Sequence, residues 1–253
     1  MISWRHVGAS FVREAQRARR QIALAYVIPA VPPLVAVTLF SDMMSPAERL
    51  PGFPTRTFQD YMVPGAVLLS GMMLAGFTAV GVAEDRRNGF TDRLHLLGMT
   101  QASVTIGRLL FEAVRVLPAA IGASTLALFL GHDFGFDPLH AVALLAYGAL
   151  WAMAYNAPFH LVAHRTANPH VPIAMQPLFA VLTFSSTFWF PGKLMPRWGE
   201  TMTGGNPVSW LTDGARVFTT PGTDVAAVGL GLAVIAGTAV LFLGPLHFSR
   251  AES

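Results

Sequence analysis

Long apolar runs separated by short polar stretches dominate the pattern of this chain. The runs cover residues 22–40, 62–82, 104–130, 139–163, 171–190 and 225–246. A helix needs about 20 mostly apolar residues to cross the hydrocarbon core of a bilayer, and each run is close to that length. The pattern therefore predicts an all-α polytopic membrane protein, in which six transmembrane helices form a single domain over residues 1–253.

The segment before the first run has a different, helical periodicity. Its apolar residues recur at helical spacing, and arginines occupy the other faces: Trp4, Val7, Phe11, Ala15 and Ala18. A helix with one apolar face and several basic residues is typical of the membrane interface. We expect residues 1–21 to form an interfacial helix whose apolar face lies in lipid.

The most charged stretch, residues 84–100, lies between the second and third runs. Within it Phe90, Leu94 and Leu97 recur at i, i+4 and i+7, and Asp92 and Arg93 lie on the other faces. The spacing predicts a short amphipathic helix, bounded by Asn-Gly before it and by a glycine after it. Such a helix either rests on the membrane surface or inserts its apolar side into a groove of a soluble partner.

Residues 191–218 precede the last run and contain proline, glycine and an Asn-Pro pair. These breakers are incompatible with one long helix. We expect two short amphipathic helices here, as an external hairpin that re-enters the membrane rim.

Charge distribution gives an orientation. Charged residues make up 12% of the chain, about half the fraction typical of soluble domains. Of the 17 Lys and Arg residues, twelve lie in the N-terminal segment, residues 83–115, residues 164–170 and the C-terminus; the other five are Arg49, Arg56, Lys193, Arg197 and Arg216. The positive-inside rule then predicts that both termini and residues 84–100 are cytoplasmic. The basic residues are not interleaved with aromatic ones, so we expect no nucleic-acid partner.

The third run begins with three ionisable residues, Arg108, Glu112 and Arg115. Their spacing allows the carboxylate to meet a guanidinium group one turn away on either side. We interpret them as a charge network at the cytoplasmic rim, with the arginines extending to the headgroups. A proton or ion relay inside the membrane is the alternative.

No pattern of a metal, cofactor or catalytic site stands out. His160 and His164 are one turn apart, but no carboxylate nearby completes a zinc site. The external residues His132, Asp133, Asp137 and His140 are typical of a polar turn. The phosphate-binding loop G-x-x-x-x-G-K-S/T requires a lysine, and the single lysine of this chain is Lys193. We therefore expect no metal, no cofactor and no ATPase site in this chain, which is not predicted to be an enzyme.

Two segments resemble a known family, the ABC-2-type transporter permeases, and in particular their daunorubicin-resistance branch. AEDRRNGFTDRLHLLGMTQASVTIGRLLFEAVR is similar to the cytoplasmic segment of these permeases, although Gly98 stands where the family usually has proline. PGKLMPRWGETMTGGNPVSWLTDGARVF resembles the segment before their last span. The matching residues there are Pro196, Trp198, Asn206, Pro207, Ser209 and Arg216.

The resemblance implies the membrane-spanning permease subunit of an ATP-driven ABC exporter in a bacterial cytoplasmic membrane, moving an amphipathic drug or lipid-like substrate outwards. Two such permeases, identical or paralogous, would be surrounded by membrane lipid and would bind separate ATPase subunits that hold ATP and Mg²⁺. An ion-coupled secondary transporter and a non-transporting scaffold or sensor are the alternatives.

The resemblance also assigns roles to residues. The residues expected to couple the permease to the ATPase are Phe90, Asp92, Arg93, Leu94 and Leu97. Those expected to form the external hairpin or gate are Pro196, Trp198, Asn206, Pro207 and Arg216.

Overall fold

The computed structural model describes residues 3–73, 75–130, 137–220 and 224–248. Within these ranges the chain is almost entirely helical and contains no β-strand, as expected where a backbone in lipid must satisfy its own hydrogen bonds. The α-helices are α1 (Trp4–Arg20), α2 (Ile28–Val35), α3 (Ser41–Met44), α4 (Phe58–Met72), α5 (Ala75–Arg87), α6 (Phe90–Leu96), α7 (Gln101–Arg115), α8 (Leu117–Phe129), α9 (Pro138–Thr166), α10 (His170–Phe184), α11 (Arg197–Gly204), α12 (Pro207–Arg216) and α13 (Ala226–Phe248).

Five helical stretches of the described residues are long and apolar enough to cross a membrane. They are Ala23–Arg49, Phe58–Arg87, Gln101–Phe129, Pro138–Thr166 and Ala226–Gly244. The first continues past the predicted end at residue 40, because α3 and a 3₁₀ turn at Ser45–Arg49 directly follow the π-helical turn Ala36–Phe40.

The fifth predicted span, residues 171–190, is shorter than expected. Helix α10 ends at Phe184 after 15 residues, which corresponds to about 22 Å at 1.5 Å per residue and falls short of a ~30 Å hydrocarbon core. The Ser185 and Ser186 hydroxyls donate hydrogen bonds of 2.8 and 2.6 Å to backbone carbonyls of its last turn. The side-chain NH₂ group of Asn206 donates another, of 2.7 Å, to the Leu182 carbonyl of that turn. The bond from Asn206 occupies the Leu182 carbonyl, with which the Ser186 amide would pair if the α-helix continued; that amide bonds to the Thr183 carbonyl instead.

The core lies around α4, which is buried along almost its whole length. Small residues bring α4 and α9 together: a Cβ atom built on Gly71 would lie 2.8 Å from the Ala152 Cβ, and one on Gly148 would lie 2.6 Å from a methyl group of Val67. Close approach of this kind is the main source of packing between helices in lipid.

Helix α1 packs against the rest of the protein, in contrast to the expectation for its apolar face. Val7 and Ala18 are buried, and the Phe11 ring meets the Phe111 ring of α7 edge to face, with centroids 5.7 Å apart. A Cβ on Gly107 would lie only 2.4 Å from the Val7 carbonyl oxygen. The prediction that the apolar face of this helix lies in lipid is wrong, because most of that face packs on α7. Trp4 is the exception, with 75% of its surface exposed.

Candidate functional site

Helix α6 is a separate short helix held between two glycines. Gly89 has φ of +67° and Gly98 has φ of +77°, values in the left-handed region that glycine adopts without steric cost. Proline cannot reach such an angle, so the Gly98 that departs from the family pattern makes a turn that proline could not make. The Thr100 hydroxyl then accepts a 3.1 Å hydrogen bond from the Ser103 amide and caps α7.

The apolar stripe predicted on α6 is divided between two environments. Phe90 and Leu94 are half-buried, and the Arg13 guanidinium of α1 lies 4.1 Å above the Phe90 ring. Leu97, just after the helix, is 75% exposed, and its neighbour Leu96 is 88% exposed.

The free apolar surface of this segment is therefore the pair Leu96 and Leu97, beside the exposed Asp92 and Arg93. Sequence reasoning missed Leu96 because it lies off the i, i+4, i+7 stripe; two adjacent leucines before a glycine were the available signal. The contact of the five predicted coupling residues with an ATPase stays a prediction.

A buried ion-pair cluster joins α1, α5 and α7 beside α6. Arg108, only 6% exposed, places its Nε 3.2 Å from a Glu14 carboxylate oxygen and pairs through Nη2 with Asp85. Arg13 donates to both oxygens of the same Asp85 at 2.9 and 2.8 Å. Two guanidinium groups thus share one carboxylate, and one of them, Arg13, also contacts Phe90 at the start of α6.

The predicted charge network is only half right. Glu112 pairs with Arg115, one turn away, but Arg108 points to Glu14 and Asp85 instead of Glu112. All three predicted side chains are at least nine-tenths buried, so the interpretation that the arginines extend to the headgroups is wrong. The sequence could not reveal Glu14 and Asp85 as partners, because they lie on other helices.

On the opposite side of the molecule, Arg216 forms the centre of a second cluster. Its side chain is 5% exposed. Nη2 donates a 2.7 Å hydrogen bond to the Thr187 carbonyl, and Nη1 donates one of 2.6 Å to Asp213. The guanidinium also stacks 3.7 Å from the centre of the Tyr61 ring. One arginine therefore connects α12, α4 and the turn that follows α10.

Asn206 and Pro207 position the start of α12. The side-chain oxygen of Asn206 accepts a 2.8 Å hydrogen bond from the backbone N–H of Val208. The side-chain NH₂ group of Asn206 donates to backbone carbonyls at the end of α10. Pro207 occupies the first helical turn, where its missing N–H costs nothing. The Asn-Pro pair thereby fixes the turn between α11 and α12 on the end of α10.

The other two predicted hairpin residues lie elsewhere. Pro196 precedes α11, and Trp198 on that helix is 70% exposed. The structure therefore places Asn206 and Pro207 at the start of α12 and Arg216 at its end, whereas Pro196 and Trp198 lie at the start of α11. A cavity of about 670 Å³ beside the cluster is lined by residues that include Lys193, Trp210 and Arg216. Tyr61 and Thr187 had no sequence signal that linked them to Arg216, whereas the i, i+3 spacing of Asp213 and Arg216 was an available signal.

The described histidines are not part of a metal-binding group. In the part of the chain that the structure describes, no three His, Cys, Asp or Glu side chains are close enough to hold a metal ion. Asp137 and His140 lie 3.9 Å apart at the start of α9; His132 and Asp133 lie outside the described residues. His160 is 3% exposed in the middle of the protein.

Comparison with known proteins gives a consistent result. The sequence model of the family described as ABC-2 type transporter matches residues 5–219. The chain is 24% identical over 216 residues to the daunorubicin resistance ABC transporter permease protein DrrB1 of Streptomyces coeruleorubidus, covering 83% of this chain and 74% of that protein. It is 25% identical over 185 residues to the probable doxorubicin resistance ABC transporter permease protein DrrC of Mycobacterium tuberculosis, covering 73% and 67% of the two chains. With most of its length matched, the chain belongs to the ABC-2 type transporter family.

Proposed function

We propose that this chain is the permease subunit of an ATP-driven exporter that moves an amphipathic drug or lipid-like substrate out of a bacterial cell. The observation that carries the proposal is α6, a helix between two membrane-crossing stretches that exposes two adjacent leucines. In an ABC-2 transporter such a surface fits a groove on a separate ATPase subunit. The names of the relatives, which refer to daunorubicin and doxorubicin resistance, support the substrate class.

In this proposal, α6 transmits movement of the ATPase into the membrane. The cation–π contact on Phe90 ties α6 to α1, and the Arg13–Asp85–Arg108 cluster ties α1 to α5 and α7. A force on Leu96 and Leu97 would therefore move α1, α6 and α7 together rather than bend α6 alone. Rigid-body movement of packed helices is a common form of switching between two states.

The Arg216 cluster would act at the other end of the pathway as part of an external gate. Its contact with the Tyr61 ring joins the hairpin to α4, and its hydrogen bond to Thr187 joins the hairpin to the turn after α10. Opening on that side therefore requires these segments to move with the hairpin. A second permease, identical or paralogous, would complete the pathway. Exposed apolar residues on α10, among them Leu178 and Phe184, are available to that subunit or to lipid.

Cysteine labelling tests the proposed orientation, in which both termini and α6 are cytoplasmic. The chain has no native cysteine, so single cysteines at exposed positions give an unambiguous signal. We expect Asn88→Cys, next to α6, to be protected from a membrane-impermeant thiol reagent in intact cells, and Gly204→Cys, in the hairpin, to react. Permeabilised cells serve as the control, in which both must react. Labelling of residue 88 alone in intact cells would reverse the orientation.

An ATP-binding measurement distinguishes a permease subunit that depends on a separate ATPase from a transporter that binds ATP itself. Because the only lysine, Lys193, follows Pro-Gly rather than a phosphate-binding sequence, we expect the purified chain to show no saturable ATP binding in equilibrium dialysis. After reconstitution with an ATPase subunit, export from vesicles should require ATP hydrolysis. Export that continues without ATP and collapses with the ion gradient would favour the secondary transporter instead, for which the buried Glu112–Arg115 pair is the candidate ion site.

A further inference from the structure

A cavity of about 120 Å³ lies between α1, α5, α7 and α9. Its volume is far above the ~10–15 Å³ that a single water requires. The polar part of its wall includes Arg108, Arg115 and His160, with Glu14 and Glu112 beside them. This space belongs neither to the exposed surface of α6 nor to the external Arg216 cluster.

Several nitrogen atoms on this wall lack a hydrogen-bond partner. Among the described residues, Arg108 Nε, Arg115 Nε and both ring nitrogens of His160 are buried and make no hydrogen bond. Arg108 Nε lies 3.2 Å from Glu14 as an ion pair, but its N–H is not directed along a hydrogen bond. Buried polar groups are nearly always satisfied. Since both guanidinium nitrogens are donors only, the missing group must offer acceptor oxygens.

The charged side chains that line the wall are more basic than acidic. Three guanidinium groups, those of Arg17, Arg108 and Arg115, face two carboxylates, those of Glu14 and Glu112. Arg17 also lies 3.6 Å from Glu84, but both side chains are about half exposed, so water screens this pair. Arg13 and Asp85, which do not line the cavity, carry opposite charges that balance each other.

The remaining wall of the cavity is apolar and reaches the outer surface of the helices. Leu24 and Phe77 line it and are also 43% and 54% exposed. Leu24 lies in the π-helical turn Ala23–Val27, a form of helix that is frequent at functional sites. A molecule that satisfies both parts of the wall has acceptor oxygens with a negative charge at one end and a hydrocarbon chain at the other.

We propose that this cavity binds the phosphodiester headgroup of an anionic phospholipid from the leaflet on the α6 side. The phosphate oxygens accept hydrogen bonds from Arg108, Arg115 and His160, and the acyl chains leave between Leu24 and Phe77. The bound lipid would join α1 to α7 and α9 behind the helix that is proposed to contact the ATPase. Binding can be measured on the isolated chain, so the outcome is independent of the proposed transport function.

Lipid titration followed by native mass spectrometry tests this site on delipidated protein in detergent. We expect one phosphatidylglycerol per chain, bound at least ~tenfold more tightly than phosphatidylcholine with the same acyl chains. The double variant Glu112→Gln/Arg115→Gln removes an ion pair without leaving a lone buried charge and should weaken phosphatidylglycerol binding about tenfold, the effect of losing one charge-assisted hydrogen bond. Arg197→Gln, an exposed arginine on α11, is the matched control and should bind like the parent.

A steric variant leaves every charged group in place. Ala25 lines the cavity and is 7% exposed, so Ala25→Leu should fill part of the space and also weaken phosphatidylglycerol binding. If the Glu112→Gln/Arg115→Gln protein does not fold, the Ala25→Leu variant by itself tests whether the cavity binds the lipid. Equal binding of the two lipids, or undiminished binding by folded Ala25→Leu protein, would overturn the proposal. If inorganic phosphate raises the thermal unfolding midpoint as much as phosphatidylglycerol does, the ligand is a soluble phosphate and the lipid assignment is wrong.

Discussion

Replacing Leu96 and Leu97 together with alanine should release the ATPase subunit from the permease in detergent. Both side chains are largely exposed in the isolated chain, and burying a leucine in a partner groove contributes about 1.5–3 kcal/mol. Because 1.4 kcal/mol corresponds to about tenfold in affinity, losing both side chains should weaken the complex by at least ~100-fold. Co-purification of the ATPase with a tagged permease measures the effect.

Two comparisons make this experiment specific. Leu178→Ala/Val181→Ala removes two exposed apolar side chains of similar size from α10 and should leave the ATPase bound. Phe90→Ala/Leu94→Ala removes the half-buried side of α6, so its effect should be smaller than that of the Leu96 and Leu97 double variant. Undiminished ATPase recovery with the Leu96 and Leu97 variant would favour the alternative, a helix that rests on the membrane surface.

Arg216→Leu should cause the second large effect, a loss of folding stability at the end of the molecule that holds α11 and α12. The substitution removes the hydrogen bonds to Thr187 and Asp213 and the contact with the Tyr61 ring. Removing one partner of a buried ion pair costs about 3–5 kcal/mol. Asp213 is 44% exposed and can be rehydrated, so we expect a decrease of about 2–3 kcal/mol in the free energy of unfolding. Denaturant unfolding in detergent, followed by tryptophan fluorescence, measures it.

The conservative variant Arg216→Lys distinguishes the contribution of the hydrogen bonds to stability from that of the positive charge. Arg216→Lys keeps a positive charge near Asp213 but loses the planar group that bonds to two partners and stacks on Tyr61. It should lie between the parent and Arg216→Leu. Arg197→Leu, on the exposed side of α11, is the control and should change stability little. Equal stabilities for the Arg216→Leu and Arg197→Leu proteins would mean that the Arg216 cluster contributes nothing to holding the hairpin.

Local composition was sufficient to predict where most of the helices lie. Apolar runs long enough to span a bilayer predicted the helical stretches, since a backbone in lipid has no other way to satisfy its polar groups. Residues with restricted or special backbone angles predicted where short helices are separated, as at Gly89, Gly98 and the Asn206-Pro207 pair. These features depend on residues that are neighbours in the chain, and for that reason they can be read from the sequence.

The length of α10 was decided by a residue outside it. An apolar run to residue 190 suggested a full span, but Asn206 bonds to the carbonyls at its end, and two serine hydroxyls bond to the same turn. Hydropathy averages over side chains and contains no information about which distant amide will take a backbone carbonyl. The same holds for Arg108, whose spacing suggested Glu112 and whose partners are Glu14 and Asp85.

Periodicity identified the amphipathic helices, and only the tertiary structure decided what their apolar faces contact. The apolar residues of α1 pack mainly on α7, whereas the stripe on α6 is shared between the protein and the exterior. Lipid, a partner subunit and another helix of the same chain all favour apolar side chains, so periodicity cannot distinguish among them. Most of the helices follow from short-range chemistry in the sequence. The end of α10, and the partners of the helix faces and charges, follow from contacts between distant segments that form only when the chain folds.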